Sequence, residues 1–323
     1  MELLLEEILK SPDNKETEEF VSTELTKEPS LLYKMGQVVS DCGMRPVDAV
    51  SSACEAFVSD SQNLYGDESS YELFTKVLLG KHVEEGLEWF QHIGFVEKYL
   101  IELEATKHLK QELGRHHKDV WEHTKLVVKQ SIPVDVIRWG ALLHDIGKVP
   151  TRRFKKNGVT FHGHAEVGAR MFDKMCKRMF FPEEQGKTIR FLIYHHLRSA
   201  QYEEGWTDNA VRRFYKDLGD ELSNVLALSR ADITSKRPGR RKALLYKISA
   251  LAERVEKLKQ EDAKVPPLPK GLGTSMMERF NIPPSKKLGD LRKVLESLVE
   301  NGEIEGHKDD GYYLDVLAER QLV

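Results

Sequence analysis

The stretch Leu142-Leu143-His144-Asp145-Ile146-Gly147-Lys148 decides how this chain reads. A histidine and an aspartate stand side by side at the end of an apolar run that begins near Val134. A buried His–Asp hydrogen bond would look the same in sequence. The pair becomes a metal-ligand pair only if further ligands arrive from helical positions elsewhere in the chain.

The surrounding segments supply them. Pro133 is placed to start a helix over 134–145, on which Ile137, Ala141 and His144 share a stripe. Upstream, the spacing predicts a helix from His116 through Val128 that carries His123. Downstream, a helix over 165–180 begins beside His164. The next, opened by Pro182, sets His196 on a face with Ile189 and Leu192. A helix over 222–232 ends with Asp232 in line with Val225 and Leu228. Each of these ionisable residues projects from a stripe that otherwise reads as core. Burying so many polar groups without a shared partner would cost about 1–3 kcal/mol per group. One or two divalent cations would satisfy them together.

Imidazole and carboxylate ligands without a thiolate suit Mn, Ni, Co, Fe, Mg or Zn in an open site, and not a closed structural zinc site. His123, His144, Asp145 and Asp232 are expected to hold one ion, with Asp145 bridging to a second held by His164 and His196. A metal-bound hydroxide at such a site attacks phosphorus. Lys148, and Arg152 and Arg153 in the basic loop over 149–156, are placed to neutralise a phosphate. Arg198, Arg212 and Arg213 are further candidate phosphate binders, since Arg makes bidentate contacts to such groups. His162 competes with His164, and His195 with His196, as the ligand at each place. His116 and His117 could be substrate-side groups or a helix cap.

Charge divides the chain. Residues 1–110 hold 22 acidic residues against 10 Lys and Arg, a net of −12, which leaves +9 for the rest of a chain of net −3. The first 110 residues read as helices joined by polar loops, with one long helix expected over 83–103, and carry no phosphate loop or nucleophile elbow. The basic body suits an anionic substrate. Cys42, Cys54 and Cys176 are few and widely spaced, as expected of free thiols in a cytoplasmic protein without a signal peptide or membrane span. The run 236–242 is broken by Pro238 and Gly239, with a charged helix expected from Ala243 to Gln260. The Pro-rich 265–271 reads as a linker. The tail reads as a helix over 288–301 and a small hairpin closed around Asp309-Asp310-Gly311. The expected divisions are 1–110, an acidic helical region; 111–262, the metal-site region; and 263–323, the tail.

His123, His144-Asp145 and Asp232 together resemble the ligand signature of the HD phosphohydrolase superfamily. Three longer stretches are similar to the HD domain of bacterial CCA-adding tRNA nucleotidyltransferases: 116–124, 142–152 and 205–214, the last reading Gly-Trp-Thr-Asp-Asn-Ala-Val-Arg-Arg-Phe. So does Leu228-Ser-Arg-Ala-Asp-Ile-Thr-Ser235. The resemblance implies an all-α HD-domain helical bundle with an N-terminal helical extension. It also implies a metal-dependent phosphatase or 2′,3′-cyclic phosphodiesterase acting on nucleotides or RNA 3′ ends, tRNA included. Those enzymes begin with a nucleotidyltransferase head bearing a Gly-Gly…Arg-Asp motif. Residues 1–70 lack it, so CCA addition is not expected of them. The alternatives are a non-catalytic RNA-binding or partner-docking module, or a subunit that works with a separate nucleotidyltransferase partner.

Overall fold

The computed structural model describes residues 2–107, 109, 119–155, 158–235, 237–263 and 266–323. The described chain is helical apart from one two-stranded sheet. It divides into two compact units, Met1–Val255 and Glu256–Val323. His116 and His117 lie outside the described residues.

In the first unit the central element is the helix Asp135–Leu143. Every residue from Ile137 to Leu143 on it is buried, Arg138 included. A helix apolar on all sides must be covered on all sides. On one side it meets Glu68–Leu79, where Trp139 stacks on Tyr71 at 5.7 Å and its indole Nε1 donates to Thr75 Oγ1 at 2.9 Å. The Tyr71 hydroxyl donates to Asp135 at 3.0 Å. On the other side lies Glu183–His195, which approaches so closely that a Cβ on Gly140 would stand 3.0 Å from Leu192. The acidic N-terminal helices thus belong to the same packing unit as the metal-site helices, and they brace the helix that ends at His144.

Local chemistry sets the flanking elements. Asp119 caps Val120–Gln130 by accepting from Glu122 N at 2.7 Å, and Thr207 caps Asp208–Leu218 through Ala210 N. The expected helix over 83–103 is instead three pieces, Val83–His92, Phe95–Tyr99 and Ile101–Glu104. The first break falls at Gly94, whose φ of 76° no helix can hold. The basic loop is a short helix, Lys148–Thr151, followed by a hairpin in which Arg153–Lys155 pairs antiparallel with Gly158–Thr160. Pro238 does not break the basic run. It occupies the first position of a helix, Pro238–Ala263, where its missing N–H costs nothing.

The second unit closes around Leu268, Leu272, Met276, Leu295, Tyr313 and Leu317. Its helices are Leu272–Phe280, Lys286–Glu300 and Asp310–Glu319. The last of these replaces the hairpin expected from the sequence. Asp309 is not a turn residue; its carboxylate accepts from Tyr312 N at 2.9 Å as a helix N-cap. The buried positions are Tyr313, Leu314, Val316 and Leu317, the spacing of a helix face and not of a strand.

Candidate metal centre

Helix ends, more than helix faces, build the site. His144 caps the C-terminus of Asp135–Leu143, His196 that of Glu183–His195, and Asp232 that of Leu222–Ala231. Cations are favoured at such ends, where backbone carbonyls point outward unpaired. His164 is the first residue of His164–Met175, and His123 sits early in Val120–Gln130.

Three rings are fixed by the same local bond. The Nδ1–H of His144 donates to Ala141 O at 2.8 Å, that of His164 to Phe161 O at 2.9 Å, and that of His196 to Ile193 O at 2.7 Å. A carbonyl only accepts, so each Nδ1 carries the proton, and each Nε2 of a neutral ring is a bare donor. The fourth, His123, is held through Nδ1 to the Thr234 hydroxyl at 3.1 Å.

The four Nε2 atoms face inward in pairs. His123 and His144 stand 3.3 Å apart, and His164 and His196 3.1 Å. Asp145 lies between the pairs, buried. Its Oδ2 is 3.1 Å from His144 Nε2 and 3.4 Å from His123 Nε2, while its Oδ1 is 3.4 Å from His164 Nε2 and 4.0 Å from His196 Nε2. Asp232 Oδ1 completes the first pair at 3.0 Å from His123 and 3.6 Å from His144. Two groups result, His123–His144–Asp232 and Asp145–His164–His196, each with donor atoms within 4.8 Å of one another.

Bare imidazole nitrogens at these separations repel unless a proton or a cation lies between them. The donor set therefore fits a divalent ion in each group, with imidazole and carboxylate ligands and their outer hydrogen bonds already made.

The electrostatics agree with this. His144 is pushed up to about 10: burial pulls it down, but the Asp145 and Asp232 carboxylates outweigh burial. Without metal, a proton on His144 takes the cation's place. Burial and the neighbouring His144 charge pull His196 down to about 4, so it is a neutral donor at pH 7. Burial would raise Asp145, but the His144 and Lys148 charges hold it well below the usual carboxylate range. Asp232 is held down in the same direction, its burial outweighed by hydrogen bonds from His123 and His144.

Lys148 Nζ lies 2.6 Å from Asp145 Oδ2, so it touches the site directly. Between the paired candidates, the structure brings His164 and His196 into the cluster. His162 is exposed, and the His195 ring packs against Phe191 and Tyr194. The arginines are spread more widely. Arg152 stacks on Phe154 at 4.5 Å, and Arg153 is exposed on the hairpin and bonds to the Pro150 and Arg152 carbonyls. Arg198 pairs with Asp217 at 3.0 Å and, with Arg213, Trp206 and Phe214, lines a separate cavity of about 390 Å³. Arg212 is half-buried on the same helix as Arg213 and does not line that cavity.

Several residues at the site were not found from sequence. A cavity of about 280 Å³ opens beside the candidate metal ligands and is lined by His196, Asp232, Ser199, Thr234, Arg240 and Lys247, among others. The signal was there: Arg240, Leu244, Lys247 and Ile248 follow helical spacing. A helix start placed at Ala243 hid it.

Residues 103–237, which enclose every one of these ligands, match the family model of the HD domain. Over that stretch the chain is similar to the HD domain, an all-helical fold, and His123, His144-Asp145 and Asp232 lie within it. Beyond the domain, the chain is 32% identical over 180 residues to a CC-adding tRNA nucleotidyltransferase of Thermus thermophilus, across 53% of this chain and 40% of that protein. It is 28% identical over 229 residues to the A-adding tRNA nucleotidyltransferase of Deinococcus radiodurans, across 68% and 51%. A bifunctional uridylyltransferase/uridylyl-removing enzyme of Mycobacterium tuberculosis matches at 25% over 225 residues, across 66% and 27%. The chain spans about half the length of these relatives or less. No helix among the described residues is long and apolar enough to cross a membrane.

Proposed function

We propose that this protein is a metal-dependent phosphohydrolase, a phosphatase or phosphodiesterase with 2′,3′-cyclic phosphodiesters in its range, acting on nucleotides or RNA 3′ ends. The observation that carries the reading is the position of Asp145, with one carboxylate oxygen toward each pair of bare imidazole nitrogens. His123, His144, Asp145 and Asp232 would hold one ion, and Asp145, His164 and His196 a second. When bound, such ions lower the pKa of a coordinated water and neutralise charge on a phosphoryl oxygen.

The chain's own residues then set the conditions for the reaction. The Nδ1 bonds fix the ligand rings before substrate arrives, which avoids reorganisation during the reaction. Lys148 balances the buried charge of Asp145 through its 2.6 Å contact. Arg152 and Arg153 on the hairpin, with Arg198, Arg212 and Arg213 further out, would hold the substrate's remaining phosphates. The tRNA-modifying relatives named above support an RNA or nucleotide substrate.

The test is metal analysis of the purified protein together with turnover on nucleotides, 2′,3′-cyclic nucleotides and 3′-phosphorylated RNA across several divalent metals. Bound metal, and hydrolysis abolished by Asp145→Ala, are the expected results. Absence of metal, with hydrolysis unchanged in Asp145→Ala, would sink the reading. Tight tRNA binding that survives metal removal, with no turnover on any ester, would point instead to an RNA-binding module.

A further inference from the structure

The cavity beside the site contains more chemistry than metal binding requires. His196 and Asp232 of the candidate ligand set are part of its lining. Its apolar lining comes from Ala200, Ile233, Leu244 and Ile248. The helix Pro238–Ala263 also lines it and presents Arg240 and Lys247 two turns apart on one face. Neither cation has a carboxylate partner among the described residues, whereas Arg198 pairs with Asp217 and Arg254 with Asp208. Ser199 lines the same cavity; it is 1% exposed, and its Oγ has no hydrogen-bond partner. A buried hydroxyl left unpaired costs free energy unless a ligand completes it.

We propose that this cavity selects a nucleotide bearing a second phosphate, held by Arg240 and Lys247 while the reacting phosphate faces His196 and Asp232. Ser199 takes a sugar hydroxyl between the two. The assignment rests on the phosphohydrolase reading for which end reacts. It adds the substrate class, a ribonucleotide phosphorylated on both sides of the sugar, such as a 3′-phosphate that also carries a 5′-phosphate and keeps its 2′-hydroxyl free. At about 280 Å³ the cavity is at the small end of ligand sites, matched to one nucleoside unit and not to a duplex. The apolar lining suits the face of a sugar or base, and the unpaired cations suit an anion that reaches past it.

The probes are adenosine 3′,5′-bisphosphate and adenosine 3′-phosphate, titrated into EDTA-treated protein so that neither is turned over. The wild type is expected to bind the bisphosphate at least tenfold more tightly. Arg240→Ala/Lys247→Ala removes that ratio while the 3′-phosphate affinity changes less than twofold. Both side chains are exposed, and an unchanged melting temperature confirms the variant's fold. Ser199→Ala lowers affinity for the ribonucleotide and not for its 2′-deoxy analogue. Equal affinities in the wild type, or a ratio that survives in the double variant, overturn the second-phosphate assignment whatever the metal-loaded enzyme hydrolyses. Failure of the metal-loaded protein to hydrolyse any ester, with the tenfold ratio intact, counts against the proposed function and leaves the pocket assignment standing.

Discussion

Gly147→Ala should damage both the stability of the fold and its affinity for a second metal ion, and the structure gives the size of the effect. Gly147 has a φ of −68°, which any residue adopts, and alanine is the better helix former. Backbone preference alone therefore predicts a neutral or stabilising change. Contact predicts the reverse. A Cβ at Gly147 would stand 2.0 Å from His164 O and 2.5 Å from Gly168 N, both backbone atoms of the His164 helix start. Ordinary contact begins near 3.4 Å, so that helix must retreat by about 1.4 Å. Overpacking of this kind costs about 1–3 kcal/mol, and with backbone on both sides the upper end applies. For a unit of this size that corresponds to a fall of roughly 6–12 °C in Tm. The same displacement carries His164 away from Asp145 Oδ1, now 3.4 Å distant. The affinity of the Asp145–His164–His196 group should fall by about 10–100-fold, the usual result of misplacing a ligand. The assays are thermal melting in EDTA and calorimetric metal titration. Gly205→Ala serves as control, since nothing lies within 4 Å of its Cβ. A Gly147→Ala protein that melts with the wild type and binds a second ion unchanged would refute the reasoning.

Three further outcomes are expected. His196→Gln should abolish one metal equivalent measured by elemental analysis, whereas His195→Gln should leave the metal count intact, because only the former ring points into the cluster. Trp139→Phe should lower stability in urea titrations by about 1–3 kcal/mol, since it strands the buried Thr75 hydroxyl. Stability of the metal-free protein should depend on pH on both sides of neutrality. His144 is raised in the fold, so its contribution is complete below its ordinary value of 6.5 and is lost as pH rises through about 10. Asp145 and Asp232 are lowered, so theirs is present above the ordinary 3.8 and is lost as pH falls further. Urea midpoints from pH 3 to 10 check both limbs, and saturating metal should flatten the alkaline one by displacing the His144 proton.

The candidate ligands stood out in the sequence because helical stripes with one ionisable member are unusual, and five of them in one region, with Asp145 beside His144, have few explanations. His164 was preferable to His162 because it begins a stripe, and the structure brings it to within 3.1 Å of His196. The cavity beside the candidate ligands was much less legible. Arg240 and Lys247 gain meaning only from the helix that begins at Pro238 and from the His196–Ala200 and Ser229–Ser235 segments that line the same cavity, a tertiary fact. The tail failed for a local reason. Asp-Asp-Gly serves a hairpin turn and a helix cap equally well, and only the burial of Tyr313 with Leu317 separates the two. The bracing of the His144 helix by Tyr71 and Thr75 joins residues more than sixty positions apart, which no local pattern reveals.

The bonds from Nδ1 of His144, His164 and His196 to carbonyls three residues back have a consequence for how the protein can change over evolutionary time. Each ring takes its aim from its own backbone, so side chains elsewhere on the same helix can drift without turning a ligand. Separation between ligands has no such local anchor. It depends on interhelical contacts as tight as those at Gly140 and Gly147. Aim is thus inherited with the ligand itself, whereas spacing must be maintained by distant residues. Divergent copies of this chain should lose the match of the cluster to a given ion size well before they lose the cluster.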